Sequence, residues 1–128
     1  MPRPKIDFDT VRNIGLALPG VEESTAYGRP ALRIRGHLLA CLPANPSAEP
    51  NSLVVRVDLE DRAELLAGDP NVYYVTDHYD GYDAVLVRLS RVNSDMLRDL
   101  LRMAHKFVTH SSAPDSSQKG RKLRKRSA

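Results

Sequence analysis

The stretch VTDHYDGYDAVLVRL, from Val75 to Leu89, concentrates side chains that could do chemistry. Asp77, His78, Asp80 and Asp83 fall in one short loop, interleaved with Tyr79 and Tyr82. Carboxylates beside a histidine can ligate a metal or move a proton. The spacing fits neither task. A calcium loop needs carboxylates at alternate positions and a glutamate at the twelfth, yet the twelfth residue from Asp77 is Arg88. A zinc site would need a second His or Cys cluster, and His37 and His105 are isolated in the sequence. The better expectation is a turn. Asp80-Gly81 is a turn dipeptide, with Gly81 supplying a positive φ and Asp80 bonding the local backbone.

No other catalytic set stands out. There is no G-x-S-x-G, P-loop or G-x-G-x-x-G pattern. The one cysteine, Cys41, lies in the apolar run HLLACL, which makes it a buried structural thiol. Glu22-Glu23 and Asp80/Asp83 have no partnered base. No cofactor or metal is expected, and the protein reads as a non-enzyme.

Arginine is the distinctive signal. Residues 1–110 contain 11 Arg and two Lys. Arg33, Arg35, Arg56 and Arg88 fall on strand positions opposite apolar ones, so neighbouring strands would gather them into a guanidinium face. Such a face could grip phosphates and read guanine edges. The competing expectation is a solvated face with Asp58 and Glu60 as ion-pair partners. The five tyrosines (Tyr27, Tyr73, Tyr74, Tyr79, Tyr82) suggest a second kind of site, a Tyr-lined surface for a protein or small ligand.

Charge divides unevenly along the chain. Residues 1–110 hold 13 Lys/Arg and 15 Asp/Glu, net −2, whereas 111–128 hold six cations against Asp115, net +5, which together give +3. Those six are Lys119, Arg121, Lys122, Arg124, Lys125 and Arg126. Segment 111–128 has Leu123 as its one large apolar residue, so it is expected to be a disordered basic tail that adds non-specific phosphate grip.

The elements that must position these residues follow from periodicity. Phe8, Val11, Ile14 and Leu18 share a helical face, capped by Asp7 or Asp9 and stopped by Pro19-Gly20. ALRIRG, HLLACL and SLVVRVD alternate as strands, with Leu53, Val55 and Val57 on one side. Asp58 starts a short helix that ends at Gly68. NVYYV and AVLVRL read as strands, and Asn93 or Ser94 opens a last helix striped with Met96, Leu97, Leu100, Leu101, Ala104 and Val108. The sum is an α+β domain over 1–110, an antiparallel sheet with helices on one face. No apolar run is long enough to span a bilayer, and a cytoplasmic, monomeric protein is the expectation.

Leu18-Pro19-Gly20-Val21, Tyr27-Gly28-x-Pro30, Arg35-Gly36, Asp69-Pro70 and His78-Tyr79-x-Gly81-Tyr82 occur in an order that resembles the MmcQ/YjbR family of small bacterial proteins. The resemblance covers nearly all of residues 7–108. It implies a frataxin/CyaY-like fold and a DNA-binding role, with no catalytic residues to carry over. His37 departs from it where lysine often follows the glycine, and the basic tail lies outside it. Frataxin likeness also raises weak iron binding, although no acidic run continues through the first helix here. DNA contact by the Arg face and tail is therefore the leading expectation, a Tyr-lined interaction site the second, and weak metal binding the third.

Overall fold

Helix α1 (Phe8–Leu16) starts where the Asp7 carboxylate accepts from the Thr10 amide at 3.2 Å. That bond satisfies one of the free N–H groups of the first turn. Asp7→Ala should cost about 1 kcal/mol of stability, read by urea denaturation. The computed structural model describes residues 6–110. The tail expected at 111–128 lies outside them.

After α1 come β1 (Val21–Ala26), β2 (Arg29–Ile34), β3 (His37–Cys41) and β4 (Ser52–Arg56), then α2 (Leu59–Gly68), β5 (Tyr73–Tyr74), β6 (Ala84–Arg88) and α3 (Ser94–His110). The six strands form one antiparallel sheet in the order β1-β2-β3-β4-β6-β5. The two hairpin turns carry positive φ at both central residues, Tyr27-Gly28 (55° and 76°) and Arg35-Gly36 (52° and 82°). This geometry matches the twist of the flanking strands.

Strand alternation sorts side chains to two faces. Leu32, Ile34, Leu53, Val55, Val85 and Val87 point to the helix side, where Val11 of α1 and Leu97, Leu100, Leu101 and Ala104 of α3 complete the main core. Leu65 and Leu66 of α2 pack against the same core. All three helices thus lie on one side of the sheet, as the patterning implied. Gly15 lets α1 approach β2, since a Cβ there would collide with Leu32 Cδ1. In β3 the register skips a residue, because Leu32 faces Ala40 while Arg33 faces Leu38. Leu39 is the extra residue, and Leu39 and Ala40 both enter the main core.

The opposite face has its own smaller core of Ala26, Ala31, Cys41, Val54, Tyr79, Ala84 and Leu86. These residues leave shallow space on the sheet, and Tyr79 fills it from the loop between β5 and β6.

Two local expectations need correction. VEESTA was not read as a strand, yet it forms β1. Its four central residues are exposed, so it carries almost no alternation for a pattern to reveal. Gly81 does not have a positive φ. The β5–β6 loop turns instead through Tyr79 N–H to Thr76 O (2.9 Å) and Tyr82 N–H to Tyr79 O (3.0 Å). The Asp80 carboxylate takes part in none of these turn bonds and meets Arg62 at 3.5 Å.

Candidate functional site

Of the four arginines expected to form one face, Arg88 lies apart from Arg56, and one strand intervenes between Arg33 and Arg56. Arg88 is paired with Ser52 in the β4–β6 register and Arg56 with Ala84, so the two sit at opposite ends of those strands, four residues or roughly 13 Å apart. Strand β3 separates the strands that carry Arg33 and Arg56. Arg35 lies in the β2–β3 turn, exposed at a positive φ.

Three of the four are also committed to the fold. Arg33 donates to Gly36 O (3.0 Å) and Thr25 O (3.2 Å). Arg56 donates to Asp83 O (3.0 Å), and its guanidinium carbon sits 5.5 Å from the Phe107 ring centre. Burial pulls the Arg56 pKa below its usual value, with Asp83 opposing. Arg88 clasps Glu49 through Nε (3.0 Å) and Nη2 (2.8 Å), donates to Pro70 O and Asn71 O, and stacks 4.3 Å from the Tyr74 ring centre. The expected partners Asp58 and Glu60 pair with none of them among the described residues. Of the proposed face, Arg35 is the member whose side chain has no acceptor among the described residues.

Other arginines are spent likewise. Arg62 is largely covered and donates to Tyr82 O, Ala84 O and Asp80 O, which ties α2 to the β5–β6 loop. Arg12 pairs with Asp9 and Glu23, and Arg98 with Asp95. Before residue 6 lie Arg3 and Lys5, and beyond 110 lie six cations, so residues 6–110 keep 11 cations against 15 acids, net −4. The field around the described domain is therefore negative.

Two of the five tyrosines, by contrast, gather with a histidine, while Tyr73 is buried in the helix-side core. Tyr79 packs edge-on against His78 (4.8 Å between ring centres) and lies 6.4 Å from Tyr82, while His78 and Tyr82 are 5.9 Å apart. Burial raises the Tyr79 pKa; a hydrogen bond with the Asn45 backbone lowers it, and Cys41, Tyr74 and Tyr27 add smaller upward contributions. Tyr27 is within electrostatic reach of the Tyr79 hydroxyl, with no ring contact to Tyr79 or Tyr82 among the described residues. Tyr79 is buried, but Tyr27 is 86% and Tyr82 56% exposed. Asp77 and Asp83 flank His78 and Tyr82 in the loop with no ion-pair partner among the described residues.

The scaffold beneath is hydrogen-bonded. Ser47 and Thr76 hydroxyls meet at 2.8 Å, and the Tyr74 hydroxyl accepts from Glu49 N at 2.7 Å and meets the buried Ser52 hydroxyl at 2.6 Å. These contacts fasten the β3–β4 and β5–β6 loops together over the outer face. The sequence named the tyrosines, but no spacing rule brings Tyr79 and Tyr82 against His78; the conformation of the β5–β6 loop does.

Cys41 is buried and burial pushes its thiol up to about 11, so it is a packing residue as expected. No group of three or more His, Cys, Asp or Glu is arranged to hold a metal among the described residues. His105 is engaged with Pro19 O at 2.7 Å. Lys119, Arg121, Lys122, Arg124, Lys125 and Arg126 lie outside the described residues. No described helix is long and apolar enough to cross a membrane.

A family model described as YjbR matches residues 16–107. The uncharacterized proteins Rv2570 of Mycobacterium tuberculosis and Mb2600 of Mycobacterium bovis are each 39% identical over 61 residues, covering 45% of this chain and 47% of theirs. The match thus spans about half the length of those relatives. The crystal structure of Deinococcus radiodurans protein DR2400, of family-model domain DUF419, is similar in fold, with a TM-score of 0.70, 21% identity, and coverage of 90% of this chain and 87% of that one.

Proposed function

The chain belongs to the YjbR family, and from that premise we propose a non-enzymatic binding protein whose globular part recognises a cationic segment of a protein partner through the exposed side chains of His78 and Tyr82 and, further along the segment, Tyr27. The observation that carries this reading is the contrast between two sets of side chains. The arginines are mostly consumed by internal acceptors, whereas Tyr27 and Tyr82 stand exposed, and Asp77 and Asp83, which flank His78 and Tyr82 in the loop, make no ion pair among the described residues.

Aromatic faces attract cations, most strongly where neighbouring carboxylates add to the field. The chain already uses this contact internally, with Arg88 on Tyr74 and Arg12 5.7 Å from the Phe8 ring centre. Tyr27 and Tyr82 offer the same kind of face to a partner. A net charge of −4 over residues 6–110 favours a cationic guest and opposes a phosphate backbone.

DNA contact is the second reading, favoured by the +5 of residues 111–128. In it, Lys119 to Arg126 supply the grip and the sheet contributes little beyond Arg35.

The test is an NMR titration of the full chain with a hexa-arginine peptide and, separately, with a twelve-nucleotide single-stranded DNA. The peptide should shift the amides of Tyr27, His78 and Tyr82. Tyr27→Ala with Tyr82→Ala should weaken its Kd about tenfold, the loss of roughly 1.4 kcal/mol of cation–π contact. Shifts of those amides caused by the DNA and not the peptide would sink the cationic-partner reading.

A further inference from the structure

Helices α2 and α3 leave a groove of about 540 Å³ between them. Asp58 and Asp61 line it from the start of α2; Asp99, Arg102 and Lys106 line it from α3, with Met103 and Phe107 as its apolar surface. His110, the last described residue, also lines it. Asp61, Asp99, Arg102 and Lys106 have no ion-pair partner among the described residues. Asp99 and Arg102, three residues apart on α3, make no ion pair among the described residues, although Asp95 and Arg98 pair at 3.0 Å.

The α2 side is strongly acidic. Asp58, Glu60, Asp61 and Glu64 fall within seven residues, and the one cation among them, Arg62, is turned away to the β5–β6 loop.

We propose that this groove docks the chain's own segment 111–128. Three observations point to that occupant. His110, the residue that precedes the segment in the chain, lines the groove. Its six cations, Lys119 to Arg126, complement the acids of α2, and Leu123 offers the one large side chain suited to Met103 and Phe107. Its reach suffices, since eight extended residues from 111 to 118 span up to about 27 Å, more than twice a helix diameter.

Arg102 and Lys106 would repel a purely cationic guest. Asp115, the segment's one acid, is five residues past His110 and within chain reach of both. The groove and the segment are thus mixed in charge in matching fashion. The proposal is independent of the tyrosine reading. It makes the basic residues available to nucleic acid only when they leave α2, so salt or a competing polyanion would release them.

The experiment uses the full chain with Ser127→Cys carrying a nitroxide. Cys41 is buried and stays unlabelled, which a wild-type control verifies. At about 0.02 M salt the label should broaden the amides of Asp61, Asp99 and Phe107, and the broadening should fade at about 0.5 M as screening shortens the Debye length several-fold. Asp61→Asn with Asp99→Asn should abolish it; both side chains lie outside the core, and Asp58, the α2 cap, is left intact. Uniform weak broadening would overturn the proposal, as would broadening centred on Tyr27 and Tyr82. So would broadening of unlabelled isotopic chains by labelled partners, which would place the segment on a second copy.

Discussion

Tyr79→Ala should destabilise the protein by about 3 kcal/mol, the lower end of the range for deleting a buried aromatic. The lower end is right because the site lies between a loop and the sheet, where the loop can sag into the space. Tyr79 is 8% exposed and packs with Ala26, Ala31, Cys41 and Ala84. Four small side chains cannot close the hole by themselves. Denaturant titration reads the loss.

A second readout locates it. Cys41 lies beneath the same ring, with its thiol held at about 11 by burial. A thiol reagent at pH 8 should react slowly with the native chain and about tenfold faster or more with Tyr79→Ala, since reactivity follows thiolate and access. The burial also has a pH signature. Because the folded pKa exceeds the unfolded value near 9.0, this group leaves stability unaffected below pH 9 and erodes it as pH rises towards 11. Tyr79→Ala should flatten that decline. A variant as stable as the native chain, with Cys41 still protected, would mean the outer core does not depend on Tyr79.

This outer core also shows where the sequence was legible. Helix α3 was plain because Leu97, Leu100, Leu101, Ala104 and Val108 recur with helical period and face one core. Strands β4 and β6 were plain because Val54 and Leu86 alternate with residues of the opposite face. Strand β1 was hidden because it is an edge strand with four successive exposed residues, so pairing with β2, not burial, makes it a strand.

The internal partners of the arginines were hidden for a different reason. Alternation correctly put Arg33, Arg56 and Arg88 opposite the helix-side core, but it says nothing about where a long side chain ends. Arg56 starts on the outer side and finishes against Phe107 of α3. Arg88 finds Glu49, 39 residues away in sequence, and the carbonyls of Pro70 and Asn71. Such partners are set by loop conformation, which carries no period. The acids that outnumber the arginines were visible from the start; which arginines are spent on internal acceptors was not.

Arg88→Met is the variant that separates structural from binding arginine. Methionine keeps most of the stem packed on Tyr74 but removes the hydrogen bonds to Glu49, Pro70 and Asn71. The expected cost is about 2 kcal/mol, within the range for hydrogen bonds to charged groups. The pH dependence identifies the partner responsible. The hydrogen bond from Arg88 holds the Glu49 carboxyl below its usual value. A depressed folded pKa gives stability that is present above the unfolded value near 4.5 and is lost as pH falls through the folded one. The difference between native chain and Arg88→Met should therefore be full at pH 7 and shrink on acidification below 4.5. A difference constant with pH would assign the loss to the Pro70 and Asn71 carbonyls instead. A phosphate-contact role makes the opposite forecast: unchanged stability and weakened DNA affinity. Arg88 commits four of its five N–H donors to protein acceptors and its face to Tyr74, so stability is what the substitution should move.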